Sequence, residues 1–342
     1  MNMKFNKTYL VFVFFAFSLL GFSQERGIPV YSDYLTDNMY LIHPSMAGAG
    51  LLSKARLTAR RQWFDVDDAP TLETLSLNGR LSDSNIGLGG ILYNDSNGRF
   101  SQQGAYATFA YHLLLSRDRV DLNQLSFGLS VGVLQEKLDE SDLIGGTNPS
   151  DPNIAGIEQQ DSYFNIDFGI SYYYLEFFTH LTVKNLIPQK RDIFAEDFET
   201  DNQRQYLFTL GYTIAPFASD WSFEPSVMFQ MKEETAEAAV DGNFKVYRQF
   251  DFGQLWGGLS YRRSLDGAEY TEDGAATVEN QKLQYFSPFL GINYKQFMFA
   301  YTYTYQANSI VLSNAGFHQI TLGYNFGGGK EKYHCNCPAI NY

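Results

Sequence analysis

The sequence predicts an all-β chain, closed into a transmembrane antiparallel β-barrel of about 14 strands with short periplasmic turns and long extracellular loops. Three observations predict it. Aromatic residues make up 16% of the chain and glycine supplies 29 residues, while charged residues reach only 18%. Apolar side chains recur at every second position in run after run, which is the period of a strand. The even-numbered connections between runs are short, and the odd-numbered ones include all the long stretches. The same composition excludes disorder, which needs few aromatics and many charges. Two Cys in 342 residues are too few for a disulfide scaffold. Lys+Arg 25 against Asp+Glu 38 gives −13, and a net acid does not track a phosphate backbone, so nucleic acid is not an expected partner.

Residues 1–23 read as a cleaved signal peptide. Lys4 and Lys7 precede the apolar run Leu10–Phe17, and small residues follow up to Ser23. The run is too short for a membrane anchor. Removing it takes two Lys and no acid, leaving −15. The chain is therefore expected to leave the cytoplasm by Sec export and to become integral to the outer membrane, in contact with its lipid. Residues 24–53 lack the alternating pattern. Their Pro44 and the small residues Ala47-Gly48-Ala49-Gly50 suggest a periplasmic coil folded back into the barrel mouth as a plug.

Fourteen alternating runs follow, at 54–64, 70–80, 85–94, 101–113, 123–136, 163–173, 177–184, 203–215, 221–232, 241–250, 254–263, 283–293, 297–306 and 315–326. In Leu125–Val133 every odd residue is apolar and every even one is Ser or Gly. Such a strand has one oily and one polar face. An even strand number lets an antiparallel barrel close with both termini on one side. Connections 81–84, 114–122, 174–176, 216–220, 251–253 and 294–296 are short, whereas 137–162, 185–202 and 264–282 alternate with them and are long. Outer-membrane barrels sort this way because turns face the periplasm and loops face outward. A soluble β-sandwich also alternates, but its polar face would carry Lys and Glu rather than Ser, Gly, Thr, Asn and Gln. Residues 327–342 open on three glycines and read as a periplasmic tail.

Motifs for chemistry are weak. Gly128-Leu129-Ser130-Val131-Gly132 matches a nucleophile elbow, yet it lies inside the cleanest strand, not at a strand–helix bend. The five His are scattered; His112, His180 and His318 read as satisfied wall residues. His334-Cys335-Asn336-Cys337 supplies too few donors for a metal site, and the acidic loops lack a calcium-loop order. No catalytic residue, metal or cofactor is expected. Arg56 and Arg60 share the inward face of the first strand, with Asp167, Lys184, Glu224 and Arg262 on other inner faces, where a wet lumen tolerates charge. Arg56, Arg60, Trp63, Pro44 and Gly48 are the binding candidates.

Tyr31-Ser32-Asp33-Tyr34 and His43-Pro44-Ser45-Met46-Ala47-Gly48 come first. Arg61-Gln62-Trp63, Ala69-Pro70-Thr71, Thr74-Leu75-Ser76, Asn85–Gly89 and Tyr93-Asn94-Asp95 follow in order. This succession resembles the opening of the PorP/SprF family of type IX secretion membrane proteins, with His43 where Asn is usual and Ser45 where Ala is usual. The resemblance implies a non-enzymatic barrel of the Bacteroidota outer membrane that assists type IX secretion and gliding motility. It further implies partners: a secreted, adhesin-like surface protein with a C-terminal signal domain, exported or anchored with the barrel's help, and periplasmic secretion or gliding components. A porin or hydrophobic-solute channel is the alternative reading of the same barrel.

Overall fold

The computed structural model describes residues 38–62, 68–116, 122–141, 156–189, 193, 202–217, 219–271, 278–307 and 316–327. The expected signal peptide, the Tyr31–Tyr34 motif, Trp63 and the Cys335/Cys337 tail lie outside them. Sixteen strands follow two 3-10 turns, Met39–Leu41 and Pro44–Met46. They are β1 Ser53–Gln62, β2 Thr71–Arg80, β3 Ile86–Asn97, β4 Phe100–Leu114, β5 Asn123–Asp139, β6 Glu158–Tyr174, β7 Phe177–Lys184 and β8 Gln205–Tyr212. The second half holds β9 Trp221–Lys232, β10 Ala238–Phe250, β11 Gly253–Ser264, β12 Ala268–Thr271, β13 Val278–Gln281, β14 Gln284–Tyr294, β15 Phe297–Gln306 and β16 Phe317–Phe326.

Fourteen of these strands form a closed antiparallel barrel, each pairing with its neighbours in chain order and β1 closing onto β16. Each of the fourteen expected runs overlaps one barrel strand. Alternation decides the outcome because it sorts every strand into an oily and a polar face. Leu57, Val131, Phe208, Leu290 and Leu322 are exposed on the outside, while Thr58, Ser130, Thr209 and Thr321 are buried inside. A soluble protein would invert this arrangement; here hydrocarbon covers the oily face. Among the described residues no helix is long and apolar enough to cross a membrane.

The strand ends joined by the short turns 81–85, 115–122, 175–176, 213–220, 251–252 and 295–296 share one end with the chain's entry at Ser53 and exit at Phe326. Aromatics ring that end: Tyr174, Trp221, Phe252, Tyr294, Phe297 and Tyr324 are all exposed there. The strand ends that flank the long connections 140–157, 185–204 and 265–283 lie at the other end. Several strands extend beyond the expected runs, β6 furthest. β5 and β6 remain paired up to Asp139↔Glu158, through residues expected in a loop. The small sheet β12–β13 also falls in an expected loop, 264–282. The reason is physical: past the apolar band both faces of a strand meet water, so no period-two signal remains in the sequence.

Candidate functional site in the barrel lumen

Residues 38–50 lie inside the barrel, every one of them buried. Proline at the start of the second 3-10 turn and the lack of alternation keep this stretch out of the sheet. It is held instead by inward side chains from β2 to β8. The Asn38 amide donates to Ser76 at 2.8 Å and the Tyr40 hydroxyl to Thr108 at 2.7 Å. His43 bonds Thr182 through Nδ1 at 2.9 Å and Thr209 through Nε2 at 3.3 Å, and its ring stacks on His180 with centroids 4.7 Å apart. Ser45 meets Ser171 at 2.6 Å. His112 donates from Nε2 to the Ala47 carbonyl at 2.9 Å, so its Nδ1 accepts from Ser126 at 2.8 Å. Arg80 donates to the carbonyls of Gly48 and Ala49. Backbone that leaves the sheet inside a barrel needs such partners, because an unpaired buried amide or carbonyl is expensive.

Apolar packing adds to these bonds. Met39, Tyr40, Leu41, Ile42 and Met46 join Tyr106, Tyr173, Phe178, Leu207 and Met228 of the wall in one core. Full burial of Ile42 alone is worth about 2 kcal/mol. Half of the lumen is therefore a packed interior, where alternation alone suggested a polar wall.

The wall is shaped to receive this stretch. Gly87, Ala110, Gly128, Gly169 and Thr182 stand in one register row across β3 to β7. A Cβ on Gly87 would collide with the Ala47 carbonyl, and one on Gly128 with the backbone of Pro44 and Ser45. Within the Gly-x-Ser-x-Gly stretch at 128–132 this contact explains Gly128, while Gly132 makes room for the Tyr106 ring and Ser130 bonds Thr108. Gly48 has φ +66° and lies against the Gly79 carbonyl, so it needs both left-handed freedom and the missing side chain.

Charge is concentrated in the opposite half. Arg262 forks onto Asp241 with bonds of 2.6 and 2.8 Å. Lys245 lies 3.9 Å from Glu224 and close to the rings of Tyr247 and Trp256. Glu224 also accepts from Thr213 and Tyr247. Arg56 donates to Asn325 at 2.8 Å, with Gly323 making room for its guanidinium. Arg60 lies over the Phe317 ring at 5.1 Å. Both arginines are almost wholly buried.

A model of the family described as type IX secretion system membrane protein PorP/SprF matches residues 23–324. The chain belongs to that family. As a PorP/SprF protein it is a non-enzymatic barrel of the outer membrane and a component of type IX secretion. No curated protein matches it. Among solved structures it is similar to a mutant of the TodX monoaromatic hydrocarbon channel (TM-score 0.47, 11% identity, 88% of this chain and 95% of that one). It is also similar to the CymD monoaromatic hydrocarbon channel (TM-score 0.46, 8% identity, 88% and 94%). A third is Salmonella typhi OmpF in complex with daunomycin (TM-score 0.36, 12% identity, 81% and 97%). At these identities the likeness adds nothing to what strand pairing already shows.

The candidate residues of this PorP/SprF protein separate into two groups. Pro44 and Gly48 sit in the inner stretch, whereas Arg56 and Arg60 line the charged half, and Trp63 lies outside the described residues. Sequence reasoning missed Tyr40, Ser45, Arg80 and the glycine row as the means of holding the stretch. Glycines recurring on one face of several consecutive strands were the available signal, since small residues there admit a close neighbour. Among the described residues no cluster of three or more His, Cys, Asp or Glu is arranged to hold a metal.

Burial, together with the nearby His180 and Lys184, holds the His43 imidazole well below its ordinary pKa. The docked stretch thus needs neutral His43, whereas the released stretch protonates below about pH 6.5. Docking is fully supported above that pH and weakens as pH falls. A Ser45→Cys variant lacking Cys335 and Cys337 should react faster with an impermeant maleimide at about pH 5 than at about pH 7.5 once corrected for thiolate fraction. Equal corrected rates would exclude His43 as a sensor.

Proposed function

We propose that the barrel is a closed platform that receives or anchors a secreted, adhesin-like protein at its loop end, rather than a solute pore. The observation that supports this reading most is the stretch 38–50, bonded to inward side chains of β2, β4, β6, β7 and β8, acting as a plug. In this reading the turn end and both tails face the periplasm, where they meet secretion or gliding components, and residues 1–23 are removed on export. The long connections 140–157, 185–204 and 265–283 then supply the outward surface for the C-terminal signal domain of the passenger.

Two measurements test it. Pull-down of the tagged protein from detergent-solubilised membranes should recover one surface protein by mass spectrometry, and deleting the barrel gene should leave that protein intracellular or shed. In planar bilayers the full protein should be silent, and removal of residues 38–50 should raise conductance. A wild-type protein that conducts steadily and recovers no surface protein would favour the porin alternative.

A further inference from the structure

Most of the lipid-facing wall is a palisade of Leu, Val and Phe, but it is interrupted over β1 to β5. Leu57, Leu75, Leu92, Ala105 and Val133 form one continuous register row on the outside. Ala105 leaves a shallow, open groove of about 610 Å³ between Leu92 and Val133. The next row toward the loop end is Glu73, Asn94, Gln103 and Gln135, also lining the groove. The groove is therefore oily below and polar above, at the level where the apolar band stops.

Several exposed polar groups at that end are matched: Lys137 with Glu158 at 3.0 Å, Arg204 with Glu233 at 2.8 Å, Lys232 with Glu237 at 2.7 Å and Tyr301 with His318 at 2.6 Å. Among the described residues, the side chains of Glu73, Asn94, Gln103 and Gln135 meet no hydrogen-bond or ion-pair partner. Three amides and a carboxylate thus stand with open hydrogen-bonding capacity directly above a hydrocarbon-lined recess.

We propose that this groove binds one acyl lipid with an ammonium-bearing headgroup. The acyl chain lies over Ala105 between Leu92 and Val133, restoring the dispersion contacts that a void in hydrocarbon would forfeit. The ester carbonyls accept from the amides of Asn94, Gln103 and Gln135, and the ammonium pairs with Glu73. The order of these zones, from hydrocarbon to ester to charge, is that of a lipid standing in a leaflet. A partner strand is the poorer occupant, since the barrel is closed and offers no unpaired edge to extend.

The test uses the full-length protein, purified and delipidated in detergent, then offered phosphatidylethanolamine or phosphatidylglycerol of identical chains and examined by native mass spectrometry. One retained phosphatidylethanolamine per chain is expected. Ala105→Trp should abolish retention while leaving heat-modifiable gel migration intact, because the side chain points outward; Ala105→Leu serves if the larger residue prevents folding. Glu73→Gln should cut the preference for phosphatidylethanolamine about threefold, the scale of an exposed ion pair. The proposal is overturned by absence of a retained lipid, by equal retention in the filled variants, or by an unchanged preference in Glu73→Gln. A wild-type dimer that Ala105→Trp dissociates would overturn it too, since the groove would then seat a second copy.

Discussion

Replacing Gly128 by leucine expels residues 43–47 from the wall and leaves the barrel closed. Any Cβ at this position meets the backbone of Pro44 and Ser45, not the flexible end of a side chain. Overpacking of this kind costs about 1–3 kcal/mol where side chains can shift, and more where backbone must move. The strand itself pays little, because β5 pairs along its whole length with β4 and β6. The displaced stretch would also lose the Ser45–Ser171 bond and the His43 contacts. In the Ser45→Cys background, protection from an impermeant maleimide should fall at least about tenfold. Gel migration of the folded barrel should not change. If Ser45→Cys stays protected in Gly128→Leu, the stretch is not held by the glycine row and the plug reading loses its support.

The second large effect is expected from Asp241→Ala. Asp241 is fully buried and takes both prongs of the Arg262 fork. Removing one member of a buried pair strands the other charge, which costs about 3–5 kcal/mol. The temperature at which the barrel unfolds on a heat-modifiability gel should drop clearly in Asp241→Ala. The double variant Asp241→Ala, Arg262→Met should recover much of the loss, because no charge is then left unpaired. Equal unfolding temperatures for wild type and Asp241→Ala would mean that water in the lumen already screens Arg262, and that this half is wet rather than packed.

Legibility followed the physics of each region. β5 was read from Leu125–Val133 because hydrocarbon on one side and lumen on the other impose strict alternation. Its upper end, Lys137–Asp139, escaped because the oily band stops there and alternation stops with it. Arg56 and Arg60 were placed inward by parity with Leu57 and Ala59, and both are buried in the structure. Their neighbours Asn325 and Phe317 come from the last strand, more than 250 residues away. No spacing along the chain announces such a meeting. Gly128 was seen as a small inner-face residue, but the reason for its smallness lies in Pro44 and Ser45, far upstream.

Local order, then, was enough to establish the strands, their oily and polar sides, and an even count able to close, since alternation reports each residue's own surroundings. The family could also be recognised, from motifs between Tyr31 and Asp95. What occupies the interior was decided only by closure. Bending the sheet into a ring sets which inward side chains confront each other across it, and thereby made a glycine row the seat for residues 43–47 and brought Arg56 onto Asn325. Register around a closed sheet is a property of all fourteen strands together, which no single stretch of sequence contains.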